Sequence, residues 1–239
     1  KVKTNNNLEI PFLSFLSVSY DIDIIKQAIE FFLNTMIISF SNDDIENTLN
    51  DMAFENEIKH KVIELFRNMD IDVVDYRAEK ISNDNYKIFM KHIINGKEYE
   101  LNLSDESKGT QKLFSLLPKL ISSLNYGSLT LIDEMDAKLH PKLIEYIIEM
   151  YKSPKINKKG AQLIMTSHDL TTMTSDIYRR DEILFASKNV ENVSELYSLY
   201  EIRDVNGERI RAKTPFNKQY AEGKYGADPY LQRILEWEV

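Results

Sequence analysis

The sequence of 239 residues contains no cysteine and only seven glycines. The absence of cysteine excludes disulfide bonds and thiolate metal sites, and it is compatible with a reducing compartment. No apolar run approaches the ~20 residues that a membrane-spanning helix needs, and no secretory signal pattern is present. We therefore expect a cytoplasmic protein with no membrane partner.

Positive charge is also scarce, because 30 lysines and arginines face 38 acidic residues and give a net charge of -8. Such a chain has no general attraction for a phosphate backbone, so its charge does not indicate DNA binding. One local lysine group consists of Lys152, Lys155, Lys158 and Lys159. A solvated helix end and loop is the favoured interpretation of this group, and a basic patch is the alternative.

The first half of the sequence has helical periodicity. Apolar residues recur at i, i+3 and i+4 at Ile22, Ile25, Ala28, Ile29, Phe32, Leu33, Met36 and Ile37. This spacing predicts one wide apolar helix face. Residues 41–44 resemble a capping box that opens a second helix. We therefore predict a helical subdomain over residues 1–69, with its helices within residues 20–69.

The period then changes to two, which predicts strands over residues 71–75, 86–94 and 99–103. Asn95 and Gly96 stand between the last two runs and predict a hairpin turn, because both turn positions need positive φ. An α/β pattern follows: helix 107–125, strand 129–133, a helix from Pro141, strand 161–166, a short helix, and strands 183–186 and 196–202. We predict two short helices in the tail, residues 214–239.

Two of these apolar strands end in residues that can carry chemistry. Asp133 and Glu134 follow the first strand, and Thr166, Ser167 and His168 follow the second. Ligands bind at the carboxyl ends of strands in open α/β sheets, so both endings would face one cleft. The alternative is structural: an acidic pair that caps the next loop, and a histidine that is satisfied within its loop.

A third candidate lies where residues 107–111, Ser-Lys-Gly-Thr-Gln, open a strongly striped helix. A serine and a glycine at a helix N-terminus leave N–H groups beside the positive end of the helix dipole, which favours an anion. A plain N-cap serine with a glycine in the first turn is the alternative. The order of the three segments is more informative than any one of them.

In this order the segments resemble the nucleotide-binding half of ABC-type ATPases, in the branch shared by chromosome-maintenance and break-repair ATPases. Residues 106–110 stand at the signature motif, residues 129–134 resemble the Walker B strand, residues 136–140 match the D-loop, and His168 matches the switch histidine. The motifs over residues 70–239 are more closely similar to prokaryotic abortive-infection and RloA-like ATPases. The resemblance implies an α/β fold: an ABC-type ATPase half, with a mixed sheet and flanking helices, plus an N-terminal helical insertion over residues 1–69.

The same resemblance implies ATP and Mg²⁺ as cofactors and assigns roles to residues. Asp133 would hold Mg²⁺ through water, Glu134 would be the general base, and His168 would contact the γ-phosphate. Nucleotide contacts would come from Ser107, Gly109, Thr110 and Asp136. The contacts of Ser107 and Gly109 would reach the nucleotide of a partner subunit in a head-to-tail homodimer or higher homo-oligomer. Such ATPases resemble sensors that control a separate effector, commonly a Toprim-type nuclease in anti-phage defence.

The sequence departs from the family pattern at two places. Lys108 occupies a position where the general family often has glycine. No P-loop is present, because none of the seven glycines fits Gly-x-x-x-x-Gly-Lys-Ser/Thr. The P-loop cradles the phosphates, so we expect these residues to be the C-terminal part of a longer ATPase and to be inactive alone. A DNA-repair ATPase and a non-catalytic scaffold with an ATPase-like fold stay open as alternatives.

Overall fold

A computed structural model describes residues 2–3, 9–10, 16, 22–38, 51–80, 86–189, 191–204 and 207–227. The chain divides into two compact units, residues 1–168 and 169–239. In the first unit, the strands are β1 (Val2–Lys3), β2 (Glu9–Ile10), β3 (Met36–Ile38), β4 (Asp75–Lys80), β5 (Tyr86–Ile94), β6 (Lys97–Asn102), β7 (Leu129–Ile132) and β8 (Gln162–Met165). Its helices are α1 (Asp23–Leu33), α2 (Asn56–Asn68), α3 (Lys108–Tyr126) and α4 (Pro141–Lys152).

A three-stranded parallel sheet in the order β3-β7-β8 forms the base of the first unit. Ile38 lies opposite Ile132, which in turn lies opposite Met165. These strands therefore end at the same level. Because the strands are parallel, the residues that follow β7 and β8 meet at one edge of the sheet.

A separate antiparallel sheet has the order β4-β5-β6. Its β5–β6 turn has Asn95 at φ 51° and Gly96 at φ 74°, as a two-residue hairpin requires. The predicted hairpin is thus confirmed. The first strand of this sheet begins at Asp75 rather than Ile71, although the N–H of Val74 already donates to the carbonyl of Lys91 at 2.8 Å.

Helix α3 lies in the middle of the first unit and is buried over most of its length. Phe114 of α3 stacks on Phe66 of α2, with ring centroids 6.5 Å apart, and meets Tyr76 of β4 edge-on at 4.7 Å. Further along α3, the hydroxyl of Thr130 in β7 donates to Ser123 Oγ at 2.8 Å. One helix therefore packs against α2, the antiparallel sheet and the parallel sheet.

The second unit contains the antiparallel pair β9 (Leu184–Lys188) and β10 (Ser194–Ser198), and helix α5 (Phe216–Ala221). Its core is a small apolar cluster made of Ile183, Phe185, Leu199, Ile210, Phe216 and Tyr225. Tyr197 Oη donates to the carbonyl of Tyr225 at 2.8 Å, which fixes the turn after α5. The first predicted tail helix is confirmed, and the second lies outside the described residues.

The structure confirms an α/β fold with a parallel sheet and flanking helices. The prediction of one helix over residues 22–37 is wrong at its end, because α1 stops at Leu33 and Met36–Ile38 is a strand. Thr35 and the β-branched Ile37 and Ile38 favour an extended backbone, and pairing with β7 satisfies it. The periodicity could not detect this pairing partner.

Two smaller predictions have other outcomes. The short helix predicted between strands 161–166 and 183–186 is present only as a single 3-10 turn, Arg180–Glu182, and bends and turns occupy residues 170–177. The Asp169 carboxylate accepts the N–H and the hydroxyl of Thr171 there, and consecutive threonines are poor helix formers. The capping box at residues 41–44 lies outside the described residues, and the domain division at residue 69 stays a prediction. Among the described residues, no helix is long and apolar enough to cross a membrane.

We predict that Gly127→Ala destabilises the protein far more than Gly96→Ala. Both glycines have φ 74°, but a Cβ at Gly127 would lie 2.6 Å from the carbonyl oxygen of Lys159, whereas one at Gly96 would meet nothing within 4 Å. Left-handed backbone and overpacking together should lower the free energy of unfolding by roughly 2–4 kcal/mol at Gly127, against about 1 kcal/mol at Gly96. Urea unfolding measures both, and equal losses would contradict the role of the close approach.

Candidate functional site

The residues that follow β7 and β8 are joined by hydrogen bonds through Thr166. Its hydroxyl donates to Asp133 Oδ1 at 2.6 Å and accepts the backbone N–H of Glu134 at 2.8 Å. The carbonyl of Thr166 also accepts the N–H of Met135 at 3.0 Å. One threonine thus orients both acidic residues, as in-register parallel strands allow.

His168 and Asp136 are also joined by a hydrogen bond. The backbone N–H of His168 donates to Asp136 Oδ1 at 3.1 Å. The side chains of Asp133, Glu134 and His168 are exposed, whereas Met135 between them is fully buried. The side chains of Asp133, Glu134 and His168 therefore face solvent, while the buried Met135 fixes the loop after β7.

Glu134 has an unusual backbone conformation, with φ 51°, and Lys138 in the same loop has φ 65°. Residues other than glycine rarely adopt this left-handed region, which costs about 1–2 kcal/mol for each residue. Such strain persists only where neighbouring contacts enforce it. The loop after β7 therefore contains two residues whose backbone is held in this region, Glu134 and Lys138.

The N-terminus of α3 is capped by Ser107, whose Oγ accepts the N–H of Thr110 at 3.1 Å. The hydroxyls of Ser107 and Thr110 lie 2.8 Å apart, and Thr110 is buried. Ser107 is exposed and can face a ligand, whereas Thr110 is engaged in the cap. The predicted start of this helix is confirmed.

Gly109 brings this helix end close to the loop after β7. A Cβ at Gly109 would lie 3.1 Å from the carbonyl oxygen of Lys138, which is tighter than an ordinary contact. The absence of a side chain therefore allows the first turn of α3 and residues 134–138 to approach each other. The two predicted motifs are neighbours in space as well as in order.

Lys112 connects the same two segments and was not predicted as a site residue. Its Nζ donates to the carbonyl oxygens of Glu134 at 2.8 Å, Met135 at 3.0 Å and Ala137 at 2.7 Å. Burial lowers the pKa of Lys112 to about 8, although the nearby carboxylates of Asp136 and Glu134 act in the opposite direction. The only sequence signal was a lysine in the buried stripe of a helix.

Gln111 holds the segment that precedes the helix. Its Nε2 donates to the carbonyls of Glu106 at 2.7 Å and Ser104 at 3.1 Å, and the side chain is buried. Glu106 itself pairs with His92 of β5, with 2.6 Å between Oε1 and Nε2. Glu106, which precedes α3, is therefore held through its carbonyl by Gln111 and through its carboxylate by His92.

The donors at this edge suit a nucleotide-bound magnesium ion better than a resident metal. No group of three or more acidic or histidine side chains that could hold a metal exists among the described residues. Mg²⁺ commonly uses one or two carboxylates, several waters and substrate phosphates. Asp133 and the neighbouring Glu134 fit that pattern, and the ion would supply charge neutralisation for phosphates.

The structure therefore brings together Asp133, Glu134, Asp136 and His168 at one sheet edge. It also places Gly109 against that loop through Lys138. The sequence places Thr166 at the end of its strand without indicating its bonds to both acidic residues, and it gives no indication of the contacts of Lys112, because both roles depend on hydrogen bonds across the fold.

This fold and motif order define an AAA-type ATPase domain. Residues 9–174 match the family described as "AAA domain, putative AbiEii toxin, Type IV TA system". This match spans more than half of the chain, so the chain belongs to that family.

Solved structures to which parts of this chain are similar include heads of SMC ATPases. One, from work on "ATP-driven dimerization and DNA stimulated activation of SMC ATPases", is 18% identical, with a TM-score of 0.41, covering 59% of this chain and 82% of that one. An Smc head domain with coiled coil and joint from Pyrococcus yayanosii is 16% identical, with a TM-score of 0.41, and covers 63% and 27%.

A third, the SmcHead bound to the C-winged helix domain of ScpA, is 16% identical, with a TM-score of 0.42, and covers 65% and 48%. The chain therefore spans about a quarter of the length of the second structure and about half of the length of the third. No curated protein matches the chain. Similarity at this level carries no information about activity or substrate.

We predict that Gln111→Leu destabilises the protein by about 1–3 kcal/mol, because it leaves two backbone carbonyls without their donor. Lys108→Met is the matched control. Lys108 is exposed, and its Nζ donates to Gln111 Oε1 at 3.2 Å, so its loss should cost less than about 0.5 kcal/mol. Urea unfolding of both variants tests this, and a Gln111 variant as stable as the control would contradict it.

Proposed function

We propose that this chain is part of an ATP-hydrolysing regulator in a prokaryotic anti-phage defence system. It is the part that contains the catalytic carboxylate and the signature motif. The regulator dimerises with ATP and controls a separate effector of the Toprim-nuclease type. The observation that carries the ATPase part is that Thr166 joins Asp133 and Glu134 at one sheet edge, where Asp136 also holds the backbone of His168. The family description, with its toxin–antitoxin context, supports the defence part.

In this proposal Glu134 orients the attacking water or accepts its proton. A carboxylate in that role must face the reaction space and hold one direction. Glu134 is exposed, and its N–H is fixed by Thr166 Oγ1 at 2.8 Å. Asp133, oriented by the same hydroxyl, would hold Mg²⁺ through water, and His168 would contact the γ-phosphate. Asp136 anchors the backbone of His168 and so positions it.

Ser107 and Gly109 would act on the nucleotide held by the partner subunit of a head-to-tail homodimer. Ser107 is exposed at the N-terminus of a 19-residue helix, where the dipole and N–H groups favour phosphate. Thr110 supports this contact through the cap. A P-loop is still required, so we expect these 239 residues to be inactive on their own, and every experiment uses the complete protein.

A non-catalytic scaffold is the alternative from another class. A scaffold has no physical need for Asp133, Glu134 and His168 together, and the backbone strain at Glu134, with φ 51°, supports a functional rather than a structural use of that residue. A DNA-repair ATPase would share the same site. Turnover that rises on addition of DNA ends, and not with a defence effector, would favour the repair enzyme.

We predict that Glu134→Gln lowers the kcat for Mg-ATP at least about 100-fold, because the amide can neither accept the proton nor orient water as a carboxylate does. ATP binding should persist, so the variant should accumulate as an ATP-dependent dimer in light scattering after size exclusion. The matched control is Glu149→Gln, an exposed glutamate on α4. Unchanged turnover in the Glu134 variant would reject the proposed catalytic role.

We also predict that Ser107→Asp abolishes turnover without unfolding α3. Aspartate is as good an N-cap as serine, but its negative charge would face the γ-phosphate. Ser107→Asn keeps the cap without charge and is the control. Urea unfolding should be similar for both, whereas ATP-dependent dimerisation should be lost only in the aspartate variant.

Mixing the Ser107→Asp and Glu134→Gln proteins tests whether the contact crosses the dimer. In a two-fold dimer, the mixed species contains one site with both changes and one site with neither. An equal mixture should therefore regain about a quarter of wild-type turnover if the sites act independently. No recovery, with both proteins folded and binding ATP, would place Ser107 and Glu134 at the same nucleotide or reject the dimer.

A further inference from the structure

Lys112 is almost completely buried, with 3% of its surface exposed. Its ammonium carries three donors, and three backbone carbonyls of one loop lie within 2.7–3.0 Å of it. A buried charge is costly even when it is well hydrogen-bonded, and an apolar side chain of the same volume would commonly be as stable. Filling the core is thus a poor explanation for this lysine.

The three carbonyls belong to Glu134, Met135 and Ala137, within four consecutive residues of the loop. The first belongs to the left-handed residue Glu134, and the other left-handed residue, Lys138, follows Ala137 directly. The carbonyl of Glu134 also accepts the N–H of Ala137 at 3.1 Å. Carbonyls that point towards one ammonium impose the backbone course that the strain would otherwise oppose.

The residue Glu134 is therefore held from two sides. Its N–H donates to Thr166 Oγ1 at 2.8 Å, on the strand β8 side, and its carbonyl accepts from Lys112 Nζ at 2.8 Å, on the α3 side. With both flanking peptide groups fixed, the Glu134 side chain leaves the backbone in one direction. A catalytic carboxylate needs its position held within roughly 0.5 Å.

We propose that Lys112 is a positioning residue that sets the geometry of Glu134 for water activation and ties it to the signature end of α3. This inference rests on the proposed function, because it assigns Lys112 a role in the same ATP hydrolysis. Lys112 does not touch the nucleotide. It lies in α3 five residues after Ser107, and its carbonyl contacts are on the inner side of the loop.

The first test compares kcat and KM for Mg-ATP in the complete protein. We expect Lys112→Met to lower kcat by about 10- to 100-fold, the usual consequence of misplacing a reacting group by about 1 Å, with KM changed less than about threefold. Lys119→Met is the matched control, a half-buried lysine of the same helix that lies outside the site. Should Lys112→Met not fold, Lys112→Gln carries the comparison, because its side chain is one bond shorter and offers two donors instead of three, so that it holds the loop less firmly and should lower kcat in the same direction.

The second test is a double-mutant cycle with Glu134→Gln, measured in single turnover. If Lys112 acts through Glu134, the Lys112 change should cause little further loss once the carboxylate is gone. An equal loss in both backgrounds would overturn the inference, as would a wild-type kcat in Lys112→Met. Unchanged turnover in Glu134→Gln alone would instead reject the proposed function.

Hydrogen exchange gives a readout that does not depend on turnover. Without the ammonium, the amides of residues 135–138 should exchange at least about tenfold faster, while those in the middle of α3 keep their rates. Lys119→Met should leave the same loop amides unchanged. Uniformly faster exchange across the first unit would show general destabilisation and would overturn the positioning role.

Discussion

The site depends on the register of two parallel strands. Ile132 of β7 lies opposite Met165 of β8, so the next residues along each chain, Asp133 and Thr166, are neighbours by geometry. A shift by one residue would turn each side chain to the other face of the sheet and would break the Thr166 bonds to Asp133 and Glu134. The apolar runs that form these strands therefore determine where the carboxylates point.

The long helix α3 carries a second constraint, because three kinds of contact share it. Aromatic packing on Phe114 links it to the antiparallel sheet, Ser123 links it to Thr130 of the parallel sheet, and its first turns face the acidic loop through Gly109 and Lys112. Structural and functional demands meet in one segment. This explains why polar residues occur in a helix that is otherwise packed with leucine.

The sequence was sufficient for features that depend on neighbouring residues. The Asn95-Gly96 hairpin and the helix starts at Ser107 and Pro141 each follow from local chemistry and are confirmed. It was insufficient for features that depend on distant partners. Met36–Ile38 continues a helical pattern in sequence, yet pairs as a strand with β7. No local signal indicates the hydrogen bonds of Lys112 and Thr166, and only the folded chain shows the groups that they contact.

The short path from Ser107 to Glu134 through α3 and Lys112 has a consequence for the proposed dimer. In that dimer, the N-terminus of α3 would contact one nucleotide, whereas the loop that Lys112 holds would act on the other. A displacement of α3 on engaging the first nucleotide would alter the carboxylate acting on the second, and linkage makes any such effect on binding reciprocal. The two ATP sites would then be cooperative through a single buried ammonium group, with no change needed elsewhere in the fold.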